Sequence, residues 1–243
     1  MTTPQEAIRQ PSQTRRRTVI AILILLAVIL ASAPLWFRIF LYQPFSIPSN
    51  SMQPTLHFGD YVFAHKYTYG FSRFSFPYSQ PAFSGRIFGA TPERGDVIVF
   101  RSPKDTEVDY IKRVVGLPGD RIQMKQGQLF INGQGVSRER LEDTDLADAC
   151  GLDPGTKVKR WRETLPGGAS YDTLDCVDNG FYDNTNIYTV PPDHIFVLGD
   201  NRDNSVDSRL LANIGYVPLE NVVGRVGVIF FSKHSERIGG AVH

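Results

Sequence analysis

From Thr18 to Phe37 the chain reads TVIAILILLAVILASAPLWF, twenty residues without a charge. At about 1.5 Å rise per residue, such a helix spans the roughly 30 Å hydrocarbon core of a bilayer. Beyond it the pattern changes from a solid apolar block to an alternation of period two. DVIVF (96–100), DYIKRVVG (109–116), RIQMKQGQLFING (121–133), HIFVLGD (194–200) and GRVGVIFFS (224–232) are β-branched or aromatic runs bounded by Gly, Pro and Asp. These are the marks of short strands. The predicted fold class is mainly β: an N-terminal single transmembrane helix followed by an all-β main lobe with an inserted smaller β-rich lobe.

The divisions follow the pattern. A basic tail covers 1–17, the helix 18–37, the main β lobe 42–120 and 193–233, the insert 121–192, and a C-terminal tail 234–243. Within the insert, Ser137 to Pro192 is richer in charge and turn residues (EDTDLADACGLDPG, LPGG, VDNG, PPD) than the strands on either side. The stretch 67–92, YTYGFSRFSFPYSQPAFSGRIFGATP, is dense in Phe and Tyr, with few charges other than Arg73 and Arg86. It reads as an aromatic hairpin with some contact at the membrane interface; a hairpin packed on the main lobe is the plainer alternative.

Lys and Arg number 26 against 25 Asp and Glu, a formal charge of +1, so there is no general electrostatic case for nucleic acid. Charge matters locally. Arg9, Arg15, Arg16 and Arg17 precede the apolar run against Glu6, while its far flank offers Arg38. The positive-inside bias then keeps the N-terminus cytoplasmic and places the residues beyond Trp36 outside. The same segment carries the features of a removed signal peptide: an apolar core from Thr18 to Leu30, then Ala31-Ser32-Ala33 as an A-x-A site. Pro34 comes next, and its tertiary amide and ring hinder a cut there. We read a retained anchor. Cys150 and Cys176, placed outside the cytoplasm, make a candidate disulfide, with two buried free thiols as the alternative.

Several chemistries lack their motifs. There is no G-x-S-x-G elbow and no S-x-x-K. His57, His65, His194, His234 and His243 show no H-E-x-x-H or other close ligand spacing. GDNRDNSVDSR (199–209) puts Arg202 where a calcium ligand would stand and lacks the glycine of an EF-hand turn. No metal and no cofactor is implied. PSNSMQPTL (48–56), by contrast, fixes two serines between Pro48 and Pro54, and a stiff loop suits a nucleophile that must attack from one direction.

A base for that serine has one candidate. In a strand, Lys112 shares a face with Tyr110 and Val114, while Ile111, Arg113 and Val115 take the other. An ammonium among apolar neighbours is disfavoured, and a base role near neutral pH needs its pKa depressed by roughly 2 to 3 units. Standing alone, the residue would read as an edge-strand lysine reaching solvent.

It does not stand alone. PSNSMQPTL, ERGDVIVFR (93–101), YIKRVVGLPGD (110–120) and GDNRDNSVDSR, in this order behind an N-terminal anchor, closely resemble the blocks of bacterial signal peptidase I, the leader peptidase family. The resemblance covers nearly all of the main lobe and little of the stretch from Ser137 to Pro192. It implies a Ser-Lys dyad in which Ser51 is the nucleophile and Lys112 the general base. It further implies that the Ser49 hydroxyl and the Ser51 backbone N–H form an oxyanion hole and that Ser205 orients the lysine amine. Asp207 and Arg209 match a structural acid-base pair, and Met52 a residue packed by the dyad. Asn50 departs from the Gly that many members have between the two serines, and the single anchor departs from members with two.

The function implied is that of a membrane-anchored serine endopeptidase removing N-terminal signal peptides from exported preproteins after small residues (A-x-A), without a cofactor. Its partners would be signal-peptide-bearing preproteins and the lipid bilayer. Its place would be the bacterial inner membrane, with the catalytic lobe external. A Ser-Lys processing peptidase of a conjugative pilus system and a non-catalytic membrane-anchored binding module are the alternatives. A self-cleaving repressor-like protein conflicts with the anchor and with the want of a helix-turn-helix.

Overall fold

The computed structural model describes residues 13–242. The first part of the basic tail, with Arg9 and Glu6, and His243 at the other end lie outside the described residues. The chain divides between Arg38 and Ile39 into two compact units.

In the first unit runs α1 (Gln13–Phe40), which ends two residues inside the second. Its stretch Arg15–Phe40 has a hydropathy of 2.8 and is long and apolar enough to cross a membrane. The helix exceeds the charge-free run at both ends because arginine is a good helix former. It is apolar all round rather than along one stripe, as a lipid-facing span requires. Pro34 lies inside it; proline lacks the N–H that would bond the Leu30 carbonyl, yet Ala31-Ser32-Ala33 remain helical.

The second unit is built on strands. In chain order they are β1 (Tyr42–Ser46), β2 (Tyr61–His65), β3 (Val97–Arg101), β4 (Asp109–Gly116), β5 (Arg121–Lys125), β6 (Gln128–Ile131) and β7 (Gln134–Gly135). Then come β8 (Ser137–Arg140), β9 (Lys159–Thr164), β10 (Ser170–Asp175), β11 (Tyr188–Thr189), β12 (His194–Leu198), β13 (Val217–Pro218) and β14 (Val222–Phe231). The main sheet has the order β1-β2-β14-β3-β4-β12-β13; β11-β5-β6-β7 and β10-β9-β8 form two smaller sheets. The protein is mainly β.

The unbroken apolar run in β3 results from burial on both faces of the main sheet. Val97 and Val99 pack with Met52, Leu56 and Val226 on one side, while Ile98 and Phe100 pack with Val114 and Val197 on the other. A strand covered on both faces does not alternate. The period-two reading of RIQMKQGQLFING resolves into β5 and β6, paired with Lys125 opposite Gln128. The two residues between them, Gln126 and Gly127, both have positive φ, which a two-residue hairpin turn of matching twist requires.

Residues 67–92 form no regular hairpin. They make three short 3-10 turns (Tyr67–Tyr69, Arg73–Ser75, Pro77–Ser79) and a single antiparallel bridge from Phe71 to Ile87. Pro77 and Pro81 supply no N–H to a ladder, which accounts for the irregular course. Arg86 pins the segment instead, donating to the carbonyls of Tyr69, Gly70, Leu219 and Val222 at 2.7–2.9 Å. Of the two readings of the cysteines, the structure has the disulfide, with the Cα atoms of Cys150 and Cys176 5.7 Å apart. Closing that loop contributes on the order of 3 kcal/mol in the chain-entropy model.

Candidate active site

The loop after β1 is held from both ends. Ile47 donates its N–H to Asp60 O and accepts one from Gly59. On the far side Met52 and Leu56, one turn apart and joined by a 2.8 Å backbone bond, are both buried in the cluster with Val97 and Val99. Sequence spacing thus places two apolar anchors directly behind Ser51. That serine is 8% exposed.

Lys112 reaches it from the middle of β4. Its Nζ donates to Ser51 Oγ at 2.7 Å and to Ile111 O at 2.9 Å. The Nζ also stands 5.7 Å from the Tyr110 ring centroid, within cation–π range. The side chain is 3% exposed. Burial pushes its pKa down to about 8, against an opposing pull from the carboxylates of Asp207 and Asp200. A buried lysine whose amine loses its proton near pH 8 can take a proton from a hydroxyl it already touches.

Ser49 Oγ lies 3.3 Å from Ser51 Oγ. Among the described residues none accepts a hydrogen bond from the Ser51 backbone N–H. Asn50 is absent from the residues with positive φ, so the backbone between the two serines does not need glycine.

Ser205 is buried, and its hydroxyl favours the charged form of the Asp207 carboxyl; among the described residues it makes no hydrogen bond to Lys112. A Cβ on Gly199 would come within 2.2 Å of Ser205 Oγ and 2.5 Å of the Ser51 carbonyl, so glycine at 199 lets the two segments approach. Asp207 and Arg209 form a buried bidentate pair, with Nε to Oδ1 and Nη2 to Oδ2 both at 2.8 Å. Burial alone would raise the Asp207 carboxyl, but Arg209 outweighs it and the pKa is lowered. Asp207 Oδ2 also accepts the Gly199 N–H.

Residues not singled out by sequence complete the frame. Arg113 grips Asp200 through Nε and Nη2 at 2.8 and 2.7 Å, and Thr55 donates to the same carboxylate at 2.6 Å. Arg202 makes a bidentate pair with Glu163 of β9 at 2.8 and 2.6 Å. The first ties the Ser51 loop to the 199–209 segment, and the second ties that segment to the insert. A signal was available: Arg113 stands on a strand beside Ile111, Val114 and Val115, and a charge in such surroundings is buried only with a partner. Nothing in the sequence paired it with Asp200 or paired Arg202 with Glu163. Among the described residues no group of three or more His, Cys, Asp or Glu could hold a metal ion.

Comparison with known proteins adds relatives. The family described as signal peptidase, peptidase S26, matches residues 15–231. Signal peptidase I of Rickettsia typhi is 42% identical over 203 residues, which is 80% of this chain and 74% of that protein. Signal peptidase I of Rickettsia akari is 41% identical over 206 residues, 82% of this chain and 74% of its own. The crystal structure of a signal peptidase I from Enterococcus faecalis V583 is 29% identical, covers 56% of this chain and 97% of its own, and superposes with a TM-score of 0.32.

Proposed function

The chain belongs to the signal peptidase family, peptidase S26, and from that premise we propose that it is a serine endopeptidase that removes signal peptides from exported preproteins, with Ser51 as nucleophile and Lys112 as general base. The observation that carries this reading is the 2.7 Å contact between Lys112 Nζ and Ser51 Oγ, made where both side chains are buried. A neutral Lys112 takes the Ser51 proton as Oγ attacks the scissile carbonyl. The Ser49 hydroxyl and the Ser51 backbone N–H receive the oxyanion. Lys112 then hands its proton to the leaving amine, and a water frees the acyl group from Ser51 by the reverse route.

An extended substrate has an edge to add to. β12 pairs with β4 only from Arg113 onward, so Asp109–Lys112 keep one side without a strand partner among the described residues. Strand addition there would lay a peptide across Ser51, with main-chain bonds supplying affinity and side-chain pockets the specificity. Phe45 and Ile111, half-buried against Ile47 and Met52, leave apolar side chains beside this edge, which suits small residues such as Ala at the first and third positions before the cut.

The anchor sets where this happens. α1 carries Arg15, Arg16 and Arg17 at its start and Arg38 near its end, a bias that favours a cytoplasmic N-terminus in the bacterial inner membrane and an external catalytic lobe. The Cys150–Cys176 disulfide fits an oxidising compartment. A preprotein still tethered by its signal peptide presents its cleavage segment from the same bilayer.

The test is cleavage of a precursor with an A-x-A signal peptide by the full chain in detergent, comparing wild type with Ser51→Ala and Lys112→Ala. A cut after A-x-A, confirmed by product mass and lost in both variants, supports the reading. Equal activity in all three proteins overturns it.

A further inference from the structure

The peptide between Asn50 and Ser51 carries the N–H assigned above to the oxyanion hole, so whatever fixes its plane fixes the direction of that donor. A trans peptide holds its C=O and N–H antiparallel. The Asn50 carbonyl accepts from Asn201 Nδ2 at 3.3 Å and from Gln53 N–H at 3.1 Å. The next peptide plane is held by the same residue, because the Asn201 backbone N–H donates to Ser51 O at 3.1 Å. Asn201 thus touches the planes on both sides of Ser51. It is fully buried.

Asn201 is in turn held by the turn that the disulfide ties down. The second hydrogen of its amide goes to Ala149 O at 2.9 Å, and Asn204 Nδ2 reaches that carbonyl at 2.6 Å. Ala149 belongs to the 3-10 turn Ala147–Cys150, and Cys150 is bonded to Cys176 at the end of β10. The Cys176 N–H donates to Asp203 Oδ2, and Leu174 donates its N–H to Asp200 O and accepts that of Arg202. Asn50 adds its own tether, with Nδ2 donating to Asp148 O at 3.4 Å. The connections close a ring: nucleophile loop, Asn201, turn 147–150, disulfide, β10, and back to the 200–203 segment.

Resting on the assignment of Ser51 as nucleophile, we propose that Asn201 is a positioning residue that aims the Ser51 backbone N–H at the oxyanion, and that the disulfide-tied turn Ala147–Cys150 holds Asn201 in place. Ser51 and Lys112 supply the chemistry, and Asn201 sets the direction of one donor. Opening the disulfide frees the turn and so loosens Asn201 without removing any reacting group.

The experiment measures kcat and KM on a precursor peptide for wild type, for Asn201→Asp, and for wild type reduced with a dithiol and alkylated. Reduction converts the disulfide to two thiols while the dithiol becomes its cyclic disulfide. Asn201→Asp keeps the shape of the side chain but replaces the amide donor with an acceptor. A small displacement of a catalytic group costs up to about 100-fold. Asn201→Asp is expected to lose about 10- to 100-fold in kcat, and the reduced protein about 3- to 10-fold, with KM within about threefold in both. Affinity for a substrate-like peptide aldehyde, whose adduct places an oxyanion in the hole, falls in step with kcat. Reducing Asn201→Asp as well costs nothing further, because both changes break one path.

Unchanged kcat in the reduced, still folded wild type overturns the role of the turn. A loss confined to KM, or losses that multiply in the reduced variant, overturns the shared path. If Asn201→Asp fails to fold, the reduced wild type and its aldehyde affinity decide the matter. Ser51→Ala in the same assay separates the two claims. Full activity in Ser51→Ala sinks the nucleophile assignment, whereas an inactive Ser51→Ala beside fully active Asn201→Asp and reduced protein sinks only the positioning role.

Discussion

The amine of Lys112 and the hydroxyl of Ser51, 61 residues apart in sequence, meet at 2.7 Å with both side chains buried. β4 delivers the amine and a loop anchored by Met52 and Leu56 delivers the hydroxyl, so neither group depends on a mobile segment for its place. That contact and its surroundings fix the direction of pH dependence, stability and rate.

Activity rises with pH. As the proposed base Lys112 must be neutral, and burial brings its pKa down to about 8, so the neutral fraction grows as pH climbs through that value. A pH profile of kcat/KM, which reports the free enzyme, is expected to show an acid limb centred near pH 8. Lys112→Arg stays charged throughout and is expected at background; a flat profile between pH 6 and 9 counts against Lys112 as the base.

Stability moves the opposite way from activity when Lys112 is replaced. The folded-state pKa, about 8, lies below the ordinary lysine value of 10.5. Between those values the unfolded chain binds more protons, so this residue's contribution improves as pH rises across that window and is least favourable below it. Lys112→Met, which carries no charge to bury, is expected to melt at or above wild type at pH 6.5 while losing activity. A clear drop in its melting temperature at that pH would argue that the ammonium is well solvated.

Asp207→Asn tests the buried pair. It leaves the Arg209 guanidinium buried with no carboxylate beside it, and breaking such a pair from one side costs about 3 to 5 kcal/mol. Denaturant unfolding is the check. Asp207 also favours the charged form of Lys112, so in the protein that does fold the acid limb shifts below its wild-type position. A shift upward would contradict the stated sign.

Ser49 is the side-chain donor of the proposed oxyanion hole. Removing one such donor typically costs about 100- to 1,000-fold in kcat. Ser49→Ala is expected to show that loss with KM little changed, while Ser49→Thr, which keeps the hydroxyl, retains much of the rate. Loss through KM alone would place Ser49 in substrate binding instead.

How much of this could be read beforehand differs between strands and side chains. DYIKRVVG matches β4 residue for residue, and HIFVLGD and GRVGVIFFS fall on β12 and β14, because period-two runs of β-branched residues bounded by turn formers have few other stable forms. Strands with weaker patterns, such as β1 with its internal Pro44 and the charged β8 and β9, gave no such signal. Residues 67–92 looked like a hairpin from their aromatics, and their prolines decided otherwise. Ser51 and Lys112 are singled out by the resemblance of four short blocks to a known family; the proline-flanked loop and the lysine of β4 taken alone do not pair them. The buried pairs Arg113–Asp200 and Arg202–Glu163 join segments far apart in the chain, and single-sequence periodicity has no term for such contacts.

The most direct test of the account is to catch the acyl group on its residue. The full chain in detergent is mixed with a precursor peptide, quenched in acid during turnover, and its adduct is weighed and located by fragment sequencing. The account predicts an adduct equal to the acyl fragment less the mass of water, on Ser51 and absent from Ser51→Ala. An adduct on any other residue, or undiminished turnover by Ser51→Ala, would contradict it.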